Sequence, residues 1–441
     1  MADHRIVSLV SAVAFLAAAP VLAEPATDSP QVFALHAQTT VVAQGNAAFT
    51  APYGGPNSLD PHANVRETWD VTLYAGIRPW RGAEIWVNPE IDQGFGLSDT
   101  LGAAGFPSGE AYKVGKSAPY LRLQRLFFRQ TIDLGGARGG VDADLNQLGG
   151  AQTADRLVLT AGKLSVVDIF DTNAYAHDPR GDFLNWAAVD AGVFDYAADA
   201  WGYSIGGAAE LYAGRWTLRA GLFNLSTVPN SADLETDFSQ LQVDGEIEER
   251  HTLGGHPGKL KLTGFVTRGR MGRYQDAVAL AQGSGQAADI AAVRRYRSRT
   301  GISLNLEQAL SSDLGVFARA GVAGGQIEPY EFSDIDRTVS AGLSLQGGRW
   351  GRGGDTIGLS GVFNQISRSH QAFLDAGGTG ILVGDGRLPH PGPEEILETY
   401  YKLALTRQVA LSVDYQFIDH PAYNRDRGPV SVGAVRLHAQ F

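Results

Sequence analysis

The sequence has no cysteine and only two methionines in 441 residues. The first absence removes disulfides, thiolate nucleophiles and cysteine metal ligands together. Long hydrophobic runs are nearly as scarce: only Ile6 to Ala19 qualifies, and nothing after it has the length of a membrane helix. Mean hydropathy is −0.11, well short of a helical membrane protein. Basic residues are outnumbered, 36 against 47 acidic, and a net charge of −11 argues against nucleic acid as a partner. No HExxH pair and no phosphate-cradling loop occurs, so nothing in the chain asks for a metal, a cofactor or an enzymatic reading.

What the sequence does have is alternation. In Thr68 to Ile91, Trp69, Val71, Leu73, Ala75 and Ile77 alternate with Thr68, Asp70, Thr72 and Tyr74. After the turn Pro79-Trp80-Arg81-Gly82, Ala83, Ile85, Val87 and Ile91 form one face and Glu84, Trp86, Asn88 and Glu90 the other. A period of two over about ten residues describes a strand with different solvents on its two sides. About ten residues is also the length of a tilted strand that crosses a bilayer. The apolar face suits lipid, and the polar face suits water inside a barrel.

The unit repeats. Further strands are expected at 33–41, 120–134 (with a bulge near Gln124), 157–163, 201–211 with 216–223, 241–249 with 259–266, 296–306 with 316–322, 337–345 with 356–363, 399–405 with 409–417, and 430–441. The fold class is therefore all-β, an antiparallel transmembrane barrel of about sixteen strands, an even number within the range of bacterial outer-membrane barrels. Short turns at 79–82, 213–214, 254–258 and 406–408 alternate with long loops at 94–118, 165–199, 269–293 and 365–395. That places the short turns in the periplasm and the long loops outside. The stretch 135–154 breaks the rule by its length. A short helix is expected near Asp276 to Ala281. Alternation is also found in soluble secreted β-sandwiches, but these have fewer, shorter strands and no long–short loop pattern.

The apolar run after Arg5 leads to Val21-Leu22-Ala23, which suits signal peptidase. Residues 1–23 read as a secretory signal, and 24–441 as a single outer-membrane barrel whose strands begin near residue 32. The final strand, Val435, Leu437, Ala439 and Phe441 alternating with Arg436, His438 and Gln440, ends in an aromatic residue of the kind the outer-membrane assembly machinery reads. Trp69, Trp80 and Trp216 near strand ends suit the interfacial girdle.

Several blocks resemble the carbohydrate-selective porin family, the OprB-type porins. They are Arg66-Glu67-Thr68-Trp69-Asp70, Arg78-Pro79-Trp80-Arg81-Gly82, Asn88-Pro89-Glu90-Ile91-Asp92-Gln93-Gly94-Phe95-Gly96-Leu97, Gly105-Phe106-Pro107-Ser108-Gly109-Glu110-Ala111-Tyr112, Gly162-Lys163-Leu164-Ser165-Val166-Val167-Asp168-Ile169-Phe170-Asp171 and Tyr415-Gln416-Phe417. The resemblance spreads from about residue 32 to the end of the chain. It implies a 16-stranded barrel in a Gram-negative outer membrane, in contact with lipid, that passes monosaccharides. It leaves open the sugar, a monomer or a homotrimer, and the competing reading of a general diffusion porin.

A sugar presents hydroxyls all round and a weakly apolar C–H face, so a site that passes it needs hydrogen-bonding charges and an aromatic surface. Glu84, Trp86, Asn88 and Glu90 on one strand, facing Arg122, Arg125 and Arg129 on the next, are the candidate sugar contacts at the constriction. Two loops are candidates for folding inward. One is Gly94 to Ala118, with Tyr112, Lys113 and Lys116. The other is Ser165 to Asp199, with Asp168, Asp171, Asp178, Arg180, Asp182, Asp190, Asp195 and Asp199. The carboxylates of the second match no EF-hand spacing and read as charges that pair with arginines.

Overall fold

The computed structural model describes residues 30–441 apart from Tyr112; the expected signal at 1–23 lies outside them. Sixteen strands form one closed sheet, each paired antiparallel with its neighbours in sequence. They are β1 (Phe33–Asn46), β2 (Asn64–Ile77), β3 (Ala83–Gly94), β4 (Lys116–Val141), β5 (Gly150–Leu164), β6 (Ser204–Ala213), β7 (Trp216–Asn224), β8 (Leu241–Leu253), β9 (His256–Met271), β10 (Arg295–Ala309), β11 (Leu314–Ala323), β12 (Arg337–Gly347), β13 (Arg352–Gln365), β14 (Glu394–Ala404), β15 (Val409–Asp419) and β16 (Val430–Gln440). β16 closes on β1 from Gln38↔Gln440 to Asn46↔Val432, so the sheet has no edge. This closure excludes the soluble sandwich. Among the described residues no helix is long and apolar enough to cross a membrane.

The faces follow the alternation. Leu73, Ile77, Leu121, Leu123, Leu218, Ile247, Leu262, Leu304, Val339 and Val413 are exposed on the outer wall. Asp70, Thr72, Glu84, Asn88, Gln242, Glu246, Asn305, Glu398 and Gln416 are buried within. The expected bulge is at Gln124: Asn88 pairs with Arg125 and Pro89 with Leu123, leaving Gln124 as the extra residue. Trp80, Trp216 and Trp350 are exposed at the short-turn end, as a girdle requires. Trp69 also points outward but is half-buried, donating to Thr39 Oγ1 at 3.0 Å.

The exception at 135–154 disappears in the structure. β4 continues to Val141 and β5 begins at Gly150, so the turn is only 142–149. The strand was hidden because Gly135-Gly136-Ala137-Arg138-Gly139-Gly140 carries no apolar alternation. A ladder that has left the bilayer does not need one. Long and short connections then alternate without a break around the barrel. Among the described residues the long loops carry three α-helices: α1 (Trp186–Val189), a single turn, α2 (Tyr274–Ser284), where a short helix was expected, and α3 (Arg368–Asp375); neither α1 nor α3 was foreseen.

The lumen is not lined by polar groups all round. Both candidate loops fold inward, and 165–203 brings Phe170, Phe183, Trp186, Val193 and Phe194 against the inward rings of Phe223, Phe265, Phe317 and Tyr400. Glycines on the wall make room: a Cβ on Gly315 would sit 2.0 Å from the Tyr175 ring. Opposite β1–β4 the interior is therefore filled by the inner loop, whose apolar side chains pack beside buried charged groups such as Arg219, Glu246, Arg299 and Arg319.

Candidate functional site

The inner loops are fixed from many directions. Arg319 on β11 donates to the carbonyls of Ala188 and Ala176 at 2.9 and 2.8 Å. Gln242 on β8 donates to Asp195 O at 2.7 Å. On the opposite side Asn185 donates to Gln416 on β15 at 3.0 Å, and Arg436 on β16 reaches the carbonyls of Pro179 and Asp182. Loop 95–115 hangs from Glu394, which accepts from the backbone N–H groups of Ala104 and Gly105 at 2.9 and 2.7 Å. The two loops meet where Phe106 stacks on Trp186, with centroids 5.3 Å apart. Lys113 donates to Glu331 O at 2.7 Å, and Lys116 lies over the Tyr120 ring; Tyr112 lies outside the described residues.

Down β4 the three arginines form successive rungs. Arg122 pairs with Asp199 at 3.2 Å and lies over the Trp201 ring, 3.3 Å from its centroid. Arg125 grips Asp168 with two bonds, 2.8 and 2.6 Å, and its third nitrogen reaches the Tyr203 hydroxyl at 3.4 Å. Arg129 pairs with Glu84 at 3.3 Å. The Arg122, Arg125 and Arg129 side chains keep 26%, 12% and 27% of their surface open. The bidentate, charge-assisted Arg125–Asp168 pair fixes the plane of that guanidinium. Burial alone pushes the Asp168 carboxyl up, but the Arg125 charge and hydrogen bonds overcome this and hold it below the ordinary carboxylate range.

The partners differ from the expected ones. Two of the three acids come from loop 165–203, not from β3. Glu90 has no accessible surface, accepts from Gln124 at 3.1 Å and lies 3.5 Å from Arg180. Arg180 is the residue that sequence reasoning left without a role of its own. It stands among Glu90, Asp70 at 3.8 Å and Glu110 at 3.3 Å, and is the guanidinium that counters all three carboxylates. Burial pushes Glu110 up, and Arg180 only partly offsets this. Asn88 faces inward but is covered, as is Trp86. The Trp86 ring is packed among Ala34, Tyr74, Phe127 and Leu148 and its Nε1 donates to Glu84 at 2.9 Å. With no exposed face, Trp86 is a wall residue in this structure, not the open stacking surface expected of it. Beneath the guanidiniums of Arg122 and Arg125 lie the rings of Trp201 and Tyr203, which are themselves buried.

The Asp-rich loop finds cations and backbone N–H groups. Asp171 pairs with Arg319 at 3.2 Å, Asp195 with Arg299 at 3.3 Å, and Asp199 also with Lys163 at 3.3 Å. Asp190 differs: burial, with Asp171 adding to it, pushes its carboxyl up to about 8, while burial pushes the neighbouring His177 down. Their 3.7 Å contact is therefore between neutral groups at pH 7. A raised carboxylate pKa gives stability that is complete below about pH 4 and is lost as pH rises through the folded value. The loop is expected to loosen as pH passes about 8. Asp190→Asn should abolish that step in a limited-proteolysis titration, and a step that survives the substitution would place the titration elsewhere.

One short match to the serine-nucleophile pattern, Gly202-Tyr203-Ser204-Ile205-Gly206, starts β6. Ser204 is buried and donates to Asn224 O and Oδ1 at 2.7 and 2.8 Å, a strand-end hydrogen bond with no histidine attached.

The family model described as carbohydrate-selective porin, OprB family, matches residues 57–441. The chain belongs to that family. The porin's fold is similar to a high-pH structure of OprB from Pseudomonas putida, with TM-score 0.67 and 16% identity over 93% of this chain and 94% of that one. A low-pH structure of Pseudomonas putida OprB matches at TM-score 0.49 and 13% identity over 93% of each. No curated protein matches the porin's sequence. The family and the closed barrel make it a channel of the Gram-negative outer membrane, not an enzyme, with lipid outside and carbohydrate as its solute.

Proposed function

We propose that the porin passes small neutral sugars such as glucose by saturable diffusion along the β3–β4 wall, where hydroxyls exchange water for the arginine rungs. The carrying observation is the set of three paired, partly open guanidiniums on one strand, Arg122, Arg125 and Arg129. Asp168 neutralises Arg125, while Asp199 is shared between Arg122 and Lys163 and Glu84 between Arg129 and Arg78, so the wall offers donors with a small positive excess. That arrangement favours a polar neutral solute over ions and keeps each contact weak enough to release. Glu84 shares the lowest rung, while Asn88, Glu90 and Trp86 shape the wall behind it. Export by the 1–23 signal and insertion through the strand ending at Phe441 complete this reading; either a monomer or a homotrimer is compatible with it.

Single-channel conductance in a planar bilayer, titrated with glucose, tests it. The expected result is a steady current that glucose reduces with saturation. A current indifferent to glucose would mean a channel without a glucose site, behaving as a general diffusion porin.

A further inference from the structure

The β4–β5 hairpin does not simply project into the periplasm. Its ladder carries two register shifts, between Asp133 and Gly135 and between Gly135 and Arg138. Gly135 and Gly136 take φ of +137° and +81°, a backbone that side chains resist. Two bulges on one strand bend it sharply. Beyond the bend the tip, 142–149, turns back onto the inner face of the rim. Leu148 is buried among Ala34, Tyr74, Trp86 and Phe127, side chains of β1 to β4 that point into the barrel. Arg129 donates to Asn146 O at 2.8 Å. Arg78 donates to Gly149 O and Gln31 O at 2.9 and 2.7 Å and to Leu148 O at 3.2 Å. Glu84 ties the two arginines together and accepts from the Leu148 N–H at 3.4 Å. Gln31 N in turn donates to Gly149 O at 3.0 Å, so the tip reaches from β4 to the start of β1. At 4.7–4.9 Å per strand that is about 14 Å of rim.

We propose that this strap is the exit constriction of the sugar path, a specificity-determining element contributed from the periplasmic side. It rests on the reading that solute moves down the β3–β4 wall. The lowest rung of that wall, Arg129 with Glu84, is the same pair that anchors the tip. A solute leaving the Arg125 rung meets Arg129 next, and Arg129 is held by Asn146 of the strap. The strap thus fixes the orientation of the last donor and closes the rim on the side where the charged wall opens.

The absence of native cysteine makes the test direct. In Gln147→Cys, a bulky charged thiol reagent added on the periplasmic side is expected to give a partial, stepwise loss of current, with glucose block from that side weakened. Ser312→Cys, in the exposed turn between β10 and β11, serves as the control and should stay silent when labelled to the same extent. Full labelling of Gln147→Cys without loss of current would overturn the proposal, as would equal losses in both variants. Leu148→Ser, which removes the apolar anchor, should raise the conductance of barrels that still migrate as folded on a gel; an unchanged conductance counts against the strap. If unmodified protein shows no glucose block, the sugar reading itself fails, and the two failures are told apart.

Discussion

Arg180→Met is expected to loosen the inner loop 165–203 around residue 180 while leaving the barrel closed. The guanidinium lies within 3.3 to 3.8 Å of Glu110, Glu90 and Asp70, all nearly or wholly inaccessible to water. Removing one partner from a buried ionic cluster leaves uncompensated charge, at a cost of about 3–5 kcal/mol. Here three carboxylates lose their shared counter-ion. They can respond by taking up protons or by moving apart, and only Glu110, on loop 95–115, is free of a strand. The ladder hydrogen bonds of β2 and β3 do not involve Arg180, so heat-modifiable gel migration should be unchanged. The loop should become cleavable by added protease, and single-channel current should rise and become noisy. Protection equal to the parent would show that the carboxylates have another source of compensation. Arg180→Lys should restore part of the protection, since an ammonium supplies the charge but not the planar fork that serves three acids at once.

The sequence announced the barrel because a strand between lipid and water has to alternate, and each lipid-facing leucine or valine is then read directly. The bulge at Gln124 was visible for the same reason: the apolar face slips by one residue there, from Leu121 and Leu123 to Leu126. The lower part of β4 was not visible, since beyond the membrane no lipid face is imposed and its glycines look like a loop. Which way Glu84, Trp86, Asn88 and Glu90 point was legible as well; what they touch was not. Their partners arrive from loops tens of residues away, and whether those loops hang outward or fold inward depends on the shape left inside the closed sheet. The hydrophobic residues of 165–203 were the available signal. A loop carrying Phe170, Phe183, Trp186, Val193 and Phe194 has to bury them, and in a barrel whose outer wall is already covered by lipid the interior is the place left. Trp86 fails as an open stacking surface for a reason of the same kind, because Leu148 comes back from the strap to cover it.

The second large effect is expected at the middle rung. Arg125 holds Asp168 through two short bonds and lies over the Tyr203 ring, 5.0 Å from its centroid. Arg125→Ala removes a donor to the passing hydroxyls and leaves Asp168 without its counter-charge. A hydrogen bond to a charged group contributes about 1.5–3 kcal/mol, and 1.4 kcal/mol is tenfold in affinity. The glucose concentration for half-block should therefore rise about tenfold or more, with assembly intact because no ladder bond is lost. The freed Asp168 carboxylate should at the same time shift ion preference toward cations. In Arg125→Ala with Asp168→Asn that shift should disappear while the weakened block remains, since the double variant restores neutrality but not the donor. The two readouts separate the roles of the rung: ion preference reports its net charge, and glucose block reports its N–H groups. Parental block in Arg125→Ala would remove Arg125 from the sugar path, whatever the ion preference does. Parental ion preference with weakened block would show that Asp168 finds a second cation when Arg125 is gone, and that the rung acts through hydrogen bonding alone.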